Sequence, residues 1–344
     1  MQRDSLSIEG LRVVLFLCIF FFHAWREAFP LGWAGINFFL VITAYFFTRK
    51  WLLKPKSEVH IKQALWKRAL RLYPSYLIVV LAMTAMYFVG KRQLPGDFFS
   101  YFLFAQNFQI EFVPDTVQVP GAGHFWYLTL DFYLVMIWLF VFKYIPRQYV
   151  QLSFFFLLIF AVVYRSVSAY YAQSITLSYI MPWGMMDAFA AGGLLAFMNV
   201  ENQKLKAPWI ALALGIIIFA FCVYTTAERF DVNVLDALVN YCSARGYADS
   251  PITIQIHLAM ASLAFFTVWV CVCKRKHYGV LSNGLLAKLG GASYELYVFH
   301  YPIIKGVKMA TSNHILIITI GLIATFAVTV IWKRFLEAKV IVLF

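Results

Sequence analysis

Ten predominantly apolar runs of fifteen to twenty residues divide this chain, at 10–25, 33–47, 72–89, 125–142, 152–167, 181–198, 208–225, 252–271, 289–304 and 315–332. Such runs approach the roughly 20 residues with which a helix crosses a hydrocarbon core about 30 Å thick. No water reaches the backbone there, so each segment must satisfy its own hydrogen bonds, and a helix does this alone. The expected fold is an all-α polytopic membrane protein of about ten transmembrane helices, in one domain over 1–344. With 62% hydrophobic residues and a mean hydropathy of +0.74, the chain has more apolar surface than a soluble core can bury.

Charge sets the orientation. Eight basic residues, Arg49, Lys50, Lys54, Lys56, Lys62, Lys67, Arg68 and Arg71, face one acid, Glu58, between the second and third runs. That imbalance marks a cytoplasmic loop. Placing both termini in the cytoplasm puts 21 of the 29 Lys and Arg residues inside and leaves eight outside: Arg26, Lys91, Arg92, Arg165, Arg229, Arg245, Lys305 and Lys308. The net charge of +13 is therefore concentrated at an inner membrane face, which argues against a nucleic-acid partner and for the lipid bilayer and anionic ligands. Residues 98–112 are apolar but contain Gln106, Asn107, Gln109 and Glu111. A full crossing there would invert every later loop, so an interfacial or re-entrant helix is expected. The first apolar run has no small-residue cleavage signal after it and reads as a retained span. Cys18, Cys222, Cys242, Cys271 and Cys273 suggest neither a disulfide framework nor a metal site.

The spans carry ionisable groups, which are costly in a membrane and mark sites or pathways. Arg12 and His23 are separated by ten apolar residues. Eleven helical steps return to nearly the same azimuth about 16 Å further along the axis, so both lie on one face. Either an arginine at the surface is unrelated to a histidine near the far headgroups, or both line a cavity. His23 and Asp131 both read as lying in the outer half, where a carboxylate near an imidazole would fix its tautomer for proton abstraction. Asp187 and Glu295 fit polar packing as well as a site, and His257 reads as a core histidine bonded to a helix carbonyl. Arg68 and Arg71 share a helical face at a spacing suited to phosphate or pyrophosphate, although an ordinary cytoplasmic flank has the same charge.

Five motifs together resemble the integral-membrane acyltransferase family 3, over nearly the whole chain. They are Glu9-Gly10-Leu11-Arg12 followed after ten residues by His23; a second-helix pattern from Gly35 through Asn37 to Phe46; Arg68-Ala69-Leu70-Arg71-Leu72-Tyr73-Pro74; a tryptophan motif, His124-Phe125-Trp126-Tyr127-Leu128, running on to Asp131 and Tyr133; and a late-helix signature from Ser293 through Tyr297 and His300 to Pro302. Asn37 stands where many members have aspartate, Thr43-Ala44 replaces the usual Ser-Gly, and Thr129-Leu130-Asp131 replaces a glutamate-containing run.

The resemblance implies an O-acyltransferase in the inner cell membrane. Its donor would be acetyl-CoA or another acyl-CoA, with no tightly bound cofactor and no metal. Its acceptor would be a hydroxyl of a surface carbohydrate or lipid-linked glycan. Without an appended esterase-like domain, a stand-alone enzyme or one working with separate glycan-synthesis proteins is expected. The residues expected to act are His23 as general base, with an acyl-histidine intermediate as the competing route; Asp131 to orient it; Arg12 to stabilise charge in catalysis or bind the donor; Arg68 and Arg71 for the donor; and Asn37, Trp126, Tyr297 and His300 for the acceptor. A transporter using the same polar line, and a membrane scaffold in a polysaccharide-synthesis complex, are the alternatives from other classes.

Overall fold

The computed structural model describes residues 4–113, 115–172, 176–198, 206–240, 250–273 and 280–336. Among these residues every regular element is helical: α1 (Asp4–Ala24), α2 (Gly35–Leu52), α3 (Ile61–Lys91), α4 (Gln106–Phe112), α5 (Trp126–Tyr144), α6 (Arg147–Val167), α7 (Met186–Phe197), α8 (Ala207–Phe230), α9 (Val234–Asn240), α10 (Ile256–Cys273), α11 (Gly284–Gly290), α12 (Ser293–Ala310) and α13 (His314–Ile331), with short 3-10 and π turns between them. Each of the ten expected spans falls on a helix. Seven of these, α1, α3, α5, α6, α8, α10 and α13, are by themselves long and apolar enough to cross a membrane.

The other three, α2, α7 and α12, are interior helices. In α7 nine of twelve residues are buried, and α2 and α12 are buried along one whole side. A helix surrounded by protein needs neither the length nor the hydropathy of one facing lipid. Gly192 lets α7 pack closely on α2, since a Cβ there would lie 2.2 Å from the Val41 carbonyl oxygen of α2. Small residues bring helix backbones together in this way inside membranes.

The outer helices show the opposite pattern. Along α6, Val150, Phe154, Ala161 and Arg165 are buried, while Leu152, Phe155, Phe156, Ile159, Phe160 and Val163 are exposed. α8 and α13 likewise expose Ile210, Leu214, Ile217 and Phe221, and Ile315, Ile320, Ile323 and Val330. Such continuous apolar surface on three helices is incompatible with water and suits a bilayer. The protein is an all-α, multi-pass membrane protein.

Two expectations about charge need correction. Arg165, assigned above to the outside, is fully buried in an ion pair with Asp187 at 2.6 Å. It also donates to the Gly184 carbonyl at 2.5 Å and to Gln255 Oε1 at 3.1 Å. His257 is buried but bonds no carbonyl among the described residues, where neither ring nitrogen has a partner, and the ring stacks on Tyr179 at 4.5 Å with Trp33 at its edge. Glu295 resolves to polar packing, 3.4 Å from Lys333. Cys18, Cys222, Cys271 and Cys273 form no disulfide with one another among the described residues. Cys242 and Arg245 lie outside the described residues.

The segment between α3 and α5 determines the depth of the site. Residues 98–112 form a six-residue 3-10 turn and the seven-residue α4, too short to cross. Gln106 donates to the Phe125 carbonyl, and Asn107 to the carbonyls of Trp126 and Ile180, all at 2.8–2.9 Å. Val119, Ala122, His124 and Phe125 are buried, so α5 begins inside the protein rather than at the surface.

Asp97 anchors this segment by accepting the Val119 N–H at 2.8 Å. Burial pushes its carboxyl up to about 6. A carboxyl raised on folding stabilises most while protonated in both states. The local stability of residues 95–123 is therefore expected to fall as pH rises from about 4 through about 6, then level off. Hydrogen exchange across that range should show the trend in the native chain, and Asp97→Asn should remove it. A flat native profile contradicts the assignment.

Candidate active site

Two adjoining cavities open among the inner helix ends. The larger, about 600 Å³, is lined by Lys50, Lys54, Lys67, Arg12, Arg68 and Arg71, with Glu58 as its one acid. Trp51 contributes an aromatic wall, with Lys50 and Lys54 over its ring. The smaller, about 120 Å³, lies deeper and is lined by Tyr127, Asp131, Tyr294 and Tyr297 as well as the same three arginines. Arg12, Arg68 and Arg71 thus form the wall common to both.

The three arginines differ in how their charge is met. Arg12 pairs with Glu9 one turn away at 2.9 Å. Arg68 pairs with Asp131, its Nε donating to Oδ2 at 3.1 Å. Arg71 has no carboxylate partner among the described residues and is exposed to both cavities. Of the three arginines it is the one most available to a new anion, and its guanidinium offers forked donors that match a phosphate.

Asp131 therefore does not orient His23. Its carboxylate sits at the depth of Arg68, with Oδ1 buried and unpartnered. The expectation failed because it placed the start of α5 at the outer surface, and the re-entrant segment lowers that start into the protein. Asn37 is also absent from both cavity walls: it is fully buried in α2, with neither side-chain polar atom partnered. Trp126 is half-buried against Tyr179, at 4.7 Å between rings.

Tyr297 links the cavities to His23. Its ring borders the smaller cavity, and its hydroxyl donates to the His124 carbonyl at 2.5 Å. One turn further along α12 stands His300, and around it gather His23 at 5.3 Å, His124 at 5.2 Å and Tyr297 at 5.4 Å between ring centroids. Tyr301 contacts His23 and His124 at 4.8 and 5.0 Å. Phe16 and Phe20 of α1 close the cluster on the other side. His23 thus packs, partly exposed, against His300 and Tyr301 at the outer end of the helix whose inner end carries Arg12.

Backbone chemistry fixes two of these imidazoles. Pro302 has no N–H, so the carbonyl four residues earlier, on Val298, has no helical donor. His124 Nε2 lies 3.2 Å from that oxygen. His300 Nδ1 lies 2.6 Å from the Tyr297 carbonyl. A carbonyl only accepts, so each of those nitrogens carries the ring proton. The remaining nitrogens, His124 Nδ1 and His300 Nε2, are bare lone pairs, buried and without a partner.

A basic entrance, a smaller cavity behind it and a set of neutral imidazoles suit the binding of a polyanion and the removal of a proton. A family model described as an acyltransferase domain matches residues 5–333. The chain belongs to acyltransferase family 3. No curated protein and no solved structure matches it. In this acyltransferase the paired-arginine motif of α3 lies on the wall of both cavities, and the late-helix signature supplies Tyr297 and His300.

Three features of the site escaped the sequence reading. His124 sits in a Gly-Ala-Gly context that suggests an exposed turn, yet it is buried. Its only signal was its place at the head of the tryptophan motif. Lys50 and Lys54 read as part of a basic cytoplasmic loop able to meet anionic ligands, but charge counting alone does not show that they surround a cavity with Trp51. Tyr127 and Tyr294 reach the deeper cavity from α5 and α12, a meeting of helices distant in sequence.

Proposed function

We propose that this membrane acyltransferase moves an acyl group, acetyl being the expected one, from acyl-CoA to a hydroxyl of a carbohydrate or lipid-linked glycan in the inner cell membrane. The supporting observation is the shared arginine wall of the two cavities; Tyr297 on the wall of the smaller one contacts His300, and His300 contacts His23. The donor enters from the cytoplasm, its phosphates meeting Arg71, Arg68 and Arg12, and its acyl-bearing arm runs outward past Tyr297. Arg12 and His23 are about 16 Å apart along α1, which an extended arm has to cover.

At the outer end His23 takes the hydroxyl proton as the acceptor oxygen attacks the thioester carbonyl. The carbon–sulfur bond breaks, and the thiolate recovers a proton to leave as free CoA. Asp131 has a structural part in this reading, holding Arg68 against the cavity wall.

Membranes carrying the full chain, supplied with labelled acetyl-CoA, should transfer label to their own extractable glycans or lipids. Arg71→Ala disturbs no ion pair and is expected to raise the donor concentration for half-maximal transfer about tenfold or more, since a hydrogen bond to a charged group contributes about 1.5–3 kcal/mol. An unchanged requirement would remove the phosphate-binding role. Solute uptake with no loss of thioester would instead favour the transporter.

A further inference from the structure

With Asp131 engaged by Arg68, the general base proposed above has no carboxylate among the described residues to orient it. We propose that His300 takes that part as a positioning residue: its Nε2 accepts the N–H of the His23 imidazole and leaves the other His23 nitrogen free to act as the base. This inference rests on the acyl-transfer reading.

Three observations carry it. The Tyr297 carbonyl holds the His300 proton on Nδ1, so Nε2 can only accept. That Nε2 is fully buried and unpartnered, a costly condition unless a donor is supplied during function. The nearest ring able to supply one is His23, which makes no side-chain hydrogen bond among the described residues. At the 5.3 Å between the two ring centres, nitrogens turned toward each other come within about 3 Å. His124 also has a bare nitrogen, but its ring contacts are with His300, Tyr297, Tyr301 and Phe125, so His300 is the imidazole standing between it and His23. Phe16 and Phe20 hold the His300 ring in place.

In the reaction the acceptor hydroxyl gives its proton to one His23 nitrogen as the new carbon–oxygen bond forms and the carbon–sulfur bond breaks. The other His23 N–H stays bonded to His300 Nε2 throughout, which stabilises the imidazolium. His23 then returns the gained proton to the CoA thiolate, and both histidines are neutral again. The logic is that of a catalytic triad with a neutral third member, so its contribution should fall below the roughly 10⁴-fold associated with an orienting carboxylate.

The titratable groups facing His23 are His300, Tyr301, Lys305 and Lys308 from α12 and His124 from the segment before α5. Lys308 also donates to the His23 backbone carbonyl at 2.8 Å and feels Glu27. These stay in place when only His300 is changed.

Transfer from labelled acetyl-CoA in membranes is measured from about pH 5 to about pH 9 for the full chain and for His300→Leu and His300→Gln, with rates normalised to the amount of protein in the membrane. His300→Leu is expected to lower the maximal rate about 100-fold and to move the acid limb to lower pH, because the imidazolium has lost its acceptor. His300→Gln offers an amide oxygen in a similar place and is expected to recover at least about a tenth of the native rate with the native limb. A His300→Leu rate within about threefold of native overturns the proposal, as does an equal fall in both variants with an unmoved limb. If the leucine variant does not accumulate, a large loss in His300→Gln with the native limb overturns it too. A His23→Ala variant run in parallel separates the two claims: when it is inactive the assignment of His23 as the base stands whatever His300 does, and when it is active that assignment fails first, and the His300 proposal with it.

Discussion

Replacing His23 by alanine is expected to lower acyl transfer from acetyl-CoA by about 10²–10⁴-fold, the usual contribution of a positioned general base. Membrane insertion should be unaffected, because the α1 side chains that pack the bundle, Phe16, Ile19 and Phe20, are unchanged and buried. Donor binding should also persist, since the arginine wall is near the other end of the helix. The measurement is label transfer at saturating donor, together with the amount of chain in washed membranes. Full transfer by normal amounts of the variant would refute the role of His23. Incubating the native chain with donor alone distinguishes the routes: a base leaves the enzyme unlabelled, whereas the acyl-histidine route leaves label on the peptide containing His23.

The largest expected effect on stability lies elsewhere in the bundle. Asp187→Leu leaves the Arg165 guanidinium fully buried without its carboxylate, and removing one member of such a pair costs about 3–5 kcal/mol. That is a large share of the about 5–15 kcal/mol by which a domain is folded. The thermal midpoint in detergent should drop sharply, and less chain should be recovered. The double variant Arg165→Met, Asp187→Leu removes both charges and should recover most of the loss. The residual cost should come from Gly184 and Gln255, whose oxygens then lose their donor. A double variant no better than the single one would mean that the pair does not hold α6 against α7.

The two cases show where sequence reasoning reached and where it stopped. Arg12 and His23 lie on one helix, so their common face and separation followed from helical geometry; Arg12 lines both cavities, whereas His23 lines neither and meets His300 instead. Arg68 and Arg71, three residues apart, were legible as a paired cation for the same reason. Arg165 was misplaced because it stands near the outer end of an apolar run, where positive charge normally reaches water. Its burial depends on α7 and on Gln255 of another segment, which no local pattern announces. Asp131 was misplaced through the depth of its helix: Gln106, Asn107, Val119, Ala122, His124 and Phe125 are buried and set the start of α5 inside the protein, an effect invisible in the helix's own composition.

From sequence alone came the class of fold, the ten apolar helices, the basic inner face, the likeness to acyltransferase family 3 and the heights of polar groups along each helix. Tertiary structure alone decided which groups meet: Asp131 with Arg68, Asp187 with Arg165, and His23 with His300. Helical periodicity specifies a residue's azimuth and rise on its own axis, because both follow from local backbone geometry. Partnership between helices depends on their neighbours and depths, which are set by packing contacts spread across the whole chain.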